Sequence, residues 1–204
     1  MAQRNRSTSQ VVIVSVVLVL IAAVAVTLIT SLHSKGARPV VGEPIQDFTA
    51  VDSQGVTFTL SEEYAKGPVV LIFYRGFWCG ICQNQLQDLE QIRPDLEALG
   101  AQMVAISTDG QALAERARVD LGLGYRVIPD DRLKLLRLFD HAETYSNDDI
   151  FHPAVYVIDQ EGIVRWGYFG DDAADRPPTD EVYRAVLELV RAADAGPTPA
   201  ETES

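Results

Sequence analysis

The sequence predicts an α/β sandwich with a mixed central sheet, preceded by one N-terminal transmembrane helix. Three observations carry this expectation. The run Val69-Val70-Leu71-Ile72-Phe73-Tyr74 is apolar throughout, the mark of a strand buried on both faces. Beyond it, short apolar runs alternate with segments of helical spacing, an order that demands a largely parallel sheet with crossovers. Near the start, Val11 to Ile29 is apolar apart from Ser15 and Thr27. As a helix at ~1.5 Å per residue that run spans about 28 Å, close to the hydrocarbon thickness.

These features divide the 204 residues into a polar head at 1–10, a signal-anchor helix at 11–30, a linker at 31–40, one folded domain at 41–193 and a disordered tail at 194–204. Ala23-Val24-Ala25 offers the alternative of a cleaved signal peptide. The apolar run continues past it through Val26, Leu28 and Ile29 and exceeds the ~7–15 residues of a signal-peptide core, so an uncleaved anchor is preferred. Arg4 and Arg6 precede the run, and Lys35 and Arg38 follow it, so charge alone leaves its orientation balanced. Residues 1–39 hold those four of the 17 basic side chains and none of the 29 acidic ones. The strongly acidic remainder repels nucleic acid and anionic headgroups, so no nucleic-acid partner is expected.

In chain order, Asp47 to Leu60 alternates in pieces around Asp52-Ser53-Gln54-Gly55 and reads as a β-hairpin. The buried strand Val69 to Tyr74 leads into a helix from about Gly80 to Leu99, built on Leu86, Leu89, Leu96 and Leu99. Pro94 inside it is expected to kink or interrupt it. Ala101 to Ser107 is a strand, Gln111 to Leu121 a helix, Tyr125 to Ile128 a short strand and Arg132 to Phe139 a short helix. Asp140 to His152 reads as a polar, acidic loop. Ala154 to Asp159 and Ile163 to Tyr168 form a hairpin across Gln160-Glu161-Gly162, adding antiparallel strands at one side, and Thr179 to Ala193 is the last helix. That arrangement is a thioredoxin-like sandwich.

Where the buried strand gives way to the first long helix stands Trp78-Cys79-Gly80-Ile81-Cys82, with the only two cysteines of the chain. Helical positions i and i+3 share a face, so the sulfurs can close a small ring. Unpaired N–H groups and the positive dipole end at a helix start favour a thiolate. The arrangement suits reversible dithiol–disulfide chemistry, with Cys79 as attacker and Cys82, a turn deeper, resolving the mixed disulfide. A purely structural disulfide across so short a loop adds little stability. A zinc site needs about four ligands, and beyond the pair only His33, His141 and His152 supply soft donors. Gln83 after the second cysteine rules out covalent haem. No metal and no cofactor are therefore expected beyond the redox-active Cys79–Cys82 disulfide. A dithiol tied to a membrane is most useful on the extracytoplasmic side, and the domain is placed there.

From about Val41 to Leu189 the chain resembles the alkyl hydroperoxide reductase/thiol-specific antioxidant group, peroxiredoxin-like members of the thioredoxin superfamily. The resemblance rests on Phe73-Tyr74-Arg75-Gly76-Phe77-Trp78-Cys79-Gly80-Ile81-Cys82, Val104-Ala105-Ile106-Ser107, Pro153-Ala154-Val155-Tyr156-Val157-Ile158-Asp159 and Gly162-Ile163-Val164-Arg165. It implies a cis-proline at Pro153 that packs against the dithiol and guides a partner's backbone, with His152 pointing near the sulfurs. It also implies a thiolate-stabilising arginine, for which Arg176 occupies the comparable stretch, and a Trp78 that flanks the sulfurs. Two departures stand out. Counted from Phe73-Tyr74, the family's peroxidatic cysteine falls on Cys82, its threonine on Cys79 and its proline on Arg75. Thioredoxin carries a buried acid where this chain has Phe73, so proton transfer to Cys82 needs another group or water.

The reading is a membrane-tethered thiol–disulfide oxidoreductase whose partner is a disulfide-bearing protein or a thiol electron donor. The alternatives are a two-cysteine peroxidase that reduces hydroperoxides with help from Arg176, and a copper-binding assembly chaperone using the thiols with His141 or His152. Copper chaperones of this fold carry one more residue between their cysteines.

Overall fold

All five residues of the central strand are buried, and alternate side chains of that strand build two different cores. The computed structural model describes Val14 and residues 36–195. Apart from Val14, the membrane run at 11–30 lies outside the described residues, as do residues 196–204. Among the described residues no helix is long and apolar enough to cross a membrane. The elements are β1 (Thr49–Val51), β2 (Thr57–Thr59), α1 (Leu60–Tyr64), β3 (Val69–Phe73), α2 (Gly80–Ala98), β4 (Gln102–Ser107) and α3 (Gln111–Asp120). They continue with β5 (Arg126–Pro129), α4 (Lys134–Phe139), β6 (Ala142–Tyr145), β7 (Asp148–Phe151), β8 (Ala154–Ile158), β9 (Val164–Phe169) and α5 (Thr179–Ala195).

The central sheet has the order β5-β4-β3-β8-β9. Strand β3 runs parallel to β4, with Val69 opposite Gln102, and antiparallel to β8, with Val69 opposite Ile158. The mixed sheet predicted from strand–helix alternation plus a closing hairpin is therefore present. Side chains of a strand alternate between faces. Val70, Ile72 and Tyr74 pack with Cys82, Leu86, Leu89 and Leu96 of α2 and Val182 and Val186 of α5. Val69, Leu71 and Phe73 pack on the other face with Phe58, Phe139 and Phe151. This second core is aromatic, with Phe73 centred 5.2 Å from Phe139 and 5.1 Å from Phe151.

Four expectations are corrected. Helix α2 passes through Pro94 without interruption. A mid-helix proline costs ~3 kcal/mol, but burial of Leu86, Leu89 and Leu96 contributes about 1.5–3 kcal/mol each and holds both halves in one helix. The supposed acidic loop at 140–152 is a hairpin, β6 paired with β7. Its tip residues Ser146 and Asn147 both have positive φ, 51° and 70°, as a tight two-residue turn requires. Helix α5 continues to Ala195, past the domain limit set at 193. Finally, no peptide bond among the described residues is cis, so Pro153 is trans. The chain runs from β7 into β8 in an extended path in which His152 N–H donates to the His141 carbonyl (2.7 Å) and Gly170 N–H to the Pro153 carbonyl (3.1 Å). The ordinary trans geometry suits that path.

Candidate active site

The site is built at the carboxyl end of β3, where Tyr74 to Trp78 turn the chain into α2. Gly76 makes the turn possible. A Cβ there would lie 2.5 Å from Trp78 Nε1 and 3.1 Å from Asp109 Oδ1, too close for any other residue. The turn is pinned from below, because Phe77 N–H donates to Asp109 Oδ2 (2.7 Å) and the Gln83 side-chain amide donates back to the Phe77 carbonyl.

Cys79 is the N-cap of α2, in extended conformation, and its sulfur accepts the Cys82 backbone N–H at 3.3 Å. This is the role a cap side chain has at a helix start. The Cys82 thiol donates to the Cys79 sulfur with the two sulfurs 2.6 Å apart, and both cysteines are free. Two donors thus converge on Cys79, so negative charge placed there is received by hydrogen bonds. Cys82 is the more deeply buried, at 0% exposure against 6% for Cys79. Burial, reinforced by the hydrogen bond to Cys79, pushes its thiol up to about 11.

Arg176 reaches the dithiol from the loop before α5. Its Nη2 lies 3.4 Å from Cys82 Sγ, while Nε donates to Gln85 Oε1 and Nη1 to the Asp175 carbonyl, each at 2.7 Å. A cation held at three points beside a sulfur favours its thiolate and acts against the burial. Gln85 was missed by the sequence reading. It sits three residues after Cys82 on the same helical face, a spacing that could have revealed it.

Trp78 is half-exposed at 50% and stacks on Tyr145 of β6, with ring centroids 4.9 Å apart. The Arg75 guanidinium lies 5.2 Å from the Trp78 ring centroid and 4.6 Å from that of Tyr145, and it pairs with Glu143 at 3.2 Å. The β6–β7 hairpin is therefore fastened to the redox turn. Glu143 and Tyr145 were also missed, since only the hairpin brings them to Arg75 and Trp78 of the turn. His152 does not touch the sulfurs. Its Nε2 meets the Gly170 carbonyl (2.6 Å), its Nδ1 faces Glu143 (3.4 Å), and its ring stacks on Phe169. His141 lies in the aromatic core on the opposite face of the sheet, away from the dithiol. Among the described residues no three His, Cys, Asp or Glu side chains gather as a metal site would need.

A cleft of about 440 Å³ opens beside the dithiol, lined by Ile81, Gln85, Arg176, Pro177 and Pro178 among others. A larger cavity of about 600 Å³ lies at the other end of β3, beside Pro68 and Leu99, away from the sulfurs.

Residues 41–167, more than half of the chain, match the AhpC/TSA family. The chain belongs to the AhpC/TSA family. Among curated relatives it is similar to "Thiol-disulfide oxidoreductase ResA" of Geobacillus kaustophilus, 24% identical over 152 residues that cover 74% of this chain and 82% of that one. Among solved structures it resembles the peroxidoxin BcpB of Mycobacterium tuberculosis, with a TM-score of 0.66 at 20% identity over 76% of this chain and 98% of that one. It also resembles Enterococcus faecalis AhpC, with a TM-score of 0.67 at 17% identity over 78% and 98%. This AhpC/TSA chain therefore has the thioredoxin-like fold and is an oxidoreductase.

Proposed function

We propose that the protein is a thiol–disulfide oxidoreductase that exchanges disulfides with a protein partner or a thiol electron donor through Cys79 and Cys82. The observation that carries the reading is the Cys82 thiol donating to Cys79 at 2.6 Å across one turn of a helix N-terminus. Cys79, less buried and backed by two donors, attacks the partner disulfide. Cys82, buried and protonated at neutral pH, resolves the mixed disulfide. Trp78 borders the sulfurs on the solvent side, and Pro153, whose carbonyl accepts the Gly170 N–H, is left to guide the partner's backbone. The likeness to a relative named as a thiol–disulfide oxidoreductase supports the same reading.

One contact favours a second reading, hydroperoxide reduction. Arg176 addresses Cys82 at 3.4 Å, the sulfur that occupies the peroxidatic position of the family. Stopped-flow oxidation of the reduced protein separates the two, with Trp78, half-exposed and stacked on Tyr145, as the fluorescent reporter. The expected result is oxidation by hydrogen peroxide near the rate of a free thiol and much faster oxidation by a peptide disulfide. Peroxide oxidation faster by orders of magnitude than a free thiol reverses the assignment.

The apolar run Val11 to Ile29 supports tethering to a membrane, with the domain on the extracytoplasmic side, where a dithiol escapes cytosolic reductants. A membrane-impermeant thiol reagent added to intact, pre-reduced cells should label Cys79. Protection of the dithiol until the cells are lysed places the domain on the other side.

A further inference from the structure

The Tyr74 side chain is fully buried, yet its hydroxyl has no hydrogen-bond partner. Leaving a buried polar group unpaired costs about 1–3 kcal/mol. The position of this one is informative. Tyr74 follows β3 on the face that carries the dithiol, in the same buried cluster as Cys79 and Cys82. Its neighbours within electrostatic reach are Asp109, Ser107 and Cys82. Asp109, beyond the end of β4, is only 6% exposed. Both of its hydrogen bonds fall on Oδ2, from Ser107 Oγ (2.8 Å) and Phe77 N–H (2.7 Å). Oδ1 accepts none among the described residues. The groups acting on the carboxylate are Ser107, Phe77 and Tyr74, none of them cationic. A buried carboxylate without a cation readily takes up a proton, and burial here pushes the Asp109 carboxyl above its ordinary range.

We propose that Asp109, acting through the Tyr74 hydroxyl, accepts the Cys82 proton when Cys82 resolves the mixed disulfide. The proposal rests on the thiol–disulfide reading above and supplies the proton acceptor that Phe73 cannot. Phe73 lies in the aromatic core, and the next residue, Tyr74, lies in the buried cluster that holds the sulfurs. In the step, the Cys82 sulfur forms a bond to the Cys79 sulfur. The bond between Cys79 and the partner sulfur breaks, and the partner leaves with the electron pair as a thiolate, which takes a proton from solvent. The Cys82 proton passes to the Tyr74 oxygen as the Tyr74 proton passes to Asp109. When the disulfide is reduced again, Asp109 returns the proton by the same route. The other charged or titratable groups around Cys82 are Cys79 at the cap of α2, Arg176 from the loop before α5, and the Arg75 backbone N–H. Tyr125, on which Tyr74 acts, is occupied in donating to the Leu86 carbonyl.

The test uses the reduced full-length protein and the chromogenic disulfide 5,5′-dithiobis(2-nitrobenzoate). The first thiolate released reports attack by Cys79, and the second reports resolution by Cys82. In Tyr74→Phe and Asp109→Asn the second release should slow about 10²-fold at neutral pH, the scale of a lost proton acceptor, while the first is unchanged. The pH profile of the second release should also change, from a plateau to a rise that continues toward the ionisation of Cys82 itself. An unchanged second release in both variants overturns the proposal. So does a second release slowed by one factor at every pH, because that is a structural effect. Asp109→Asn keeps a side-chain oxygen for Phe77 N–H, and Tyr74→Phe leaves Asp109 intact, so a folding defect in one leaves the other decisive. Cys82→Ser separates this proposal from the reading beneath it. There one equivalent should be released and the thionitrobenzoate adduct should persist on Cys79, whereas the native protein should carry no adduct after its second release; a native protein that ends with an adduct on each cysteine removes the resolving step itself.

Discussion

Replacing Cys82 with serine is expected to stop turnover and leave the partner covalently attached to Cys79. Attack on a disulfide within one helical turn has an effective concentration that in well-oriented systems reaches ~10⁵–10⁸ M. Where the geometry reaches that range, an external thiol at about 1 mM replaces the Cys82 sulfur less effectively by about 10⁸-fold or more. The serine hydroxyl is isosteric enough to keep the donor to Cys79 Sγ that the thiol supplies at 2.6 Å, so the first step survives. Mass spectrometry of the protein after reaction with a peptide disulfide should find one adduct on Cys79. Cys79→Ser should give none, because Cys82 is buried beneath the cap. Adducts on Cys82 in the Cys79 variant, with none in the Cys82 variant, would exchange the roles of the two sulfurs and favour peroxide chemistry.

Acid is expected to destabilise the protein through His141. The ring is fully buried, its Nδ1 has no partner, and its Nε2 meets the Tyr156 hydroxyl at 3.1 Å. Burial first, then the nearby Arg38 and His152, pull its pKa down to about 3. In the unfolded chain a histidine titrates near 6.5. Between those values the unfolded state binds the extra proton, so stability rises with pH across the window and is lost as pH falls below about 6.5. The slope is about 1.4 kcal/mol per pH unit, or about 2 kcal/mol by pH 5. Asp109 and Asp130, whose carboxyls burial pushes up, act in the opposite sense. The comparison with His141→Phe isolates the histidine. Phenylalanine fits the stack between Phe73 and Phe169 and does not titrate. Urea midpoints at neutral and mildly acid pH should fall steeply in the native protein and less steeply in the variant. Equal slopes in the two remove His141 as the cause.

The parts of the fold readable from the sequence are those whose signal is local. The apolar run of β3, the leucine spacing of α2 and the hairpin of β8 and β9 are each written in consecutive residues, and the structure has them within a residue or two of the expected bounds. The β6–β7 hairpin was hidden because its strands carry Glu143, Asp148 and Asp149 and bury only Ile150 and Phe151, and the partner of Glu143, Arg75, is far away in sequence. Its turn uses Ser146-Asn147, with positive φ at both, in place of the Asn-Gly signal that marks such turns. The cysteine pair and Arg176 were legible, one from spacing and the other from the family resemblance. Asp109 and Tyr74 were not, since the pairing of β3 with β4 alone brings positions 35 residues apart to one site. A proline before a strand carries no statement about its isomer, and the expectation of a cis bond came from the resemblance, not from the residues around Pro153.

The alternation of β3 makes the sheet a partition between two chemical environments. Phe73 and Tyr74 are neighbours in sequence, but the first abuts His141 and the second shares the opposite core with the dithiol. A proton on the imidazole and a proton on the resolving sulfur are thus separated by a layer of hydrogen-bonded backbone and aliphatic side chains. Acid tolerance and redox poise can therefore drift independently, the one through substitutions around Phe139, Phe151 and Phe169, the other around Gln85 and Arg176. Homologues living at different acidities should differ in the first set while keeping the second.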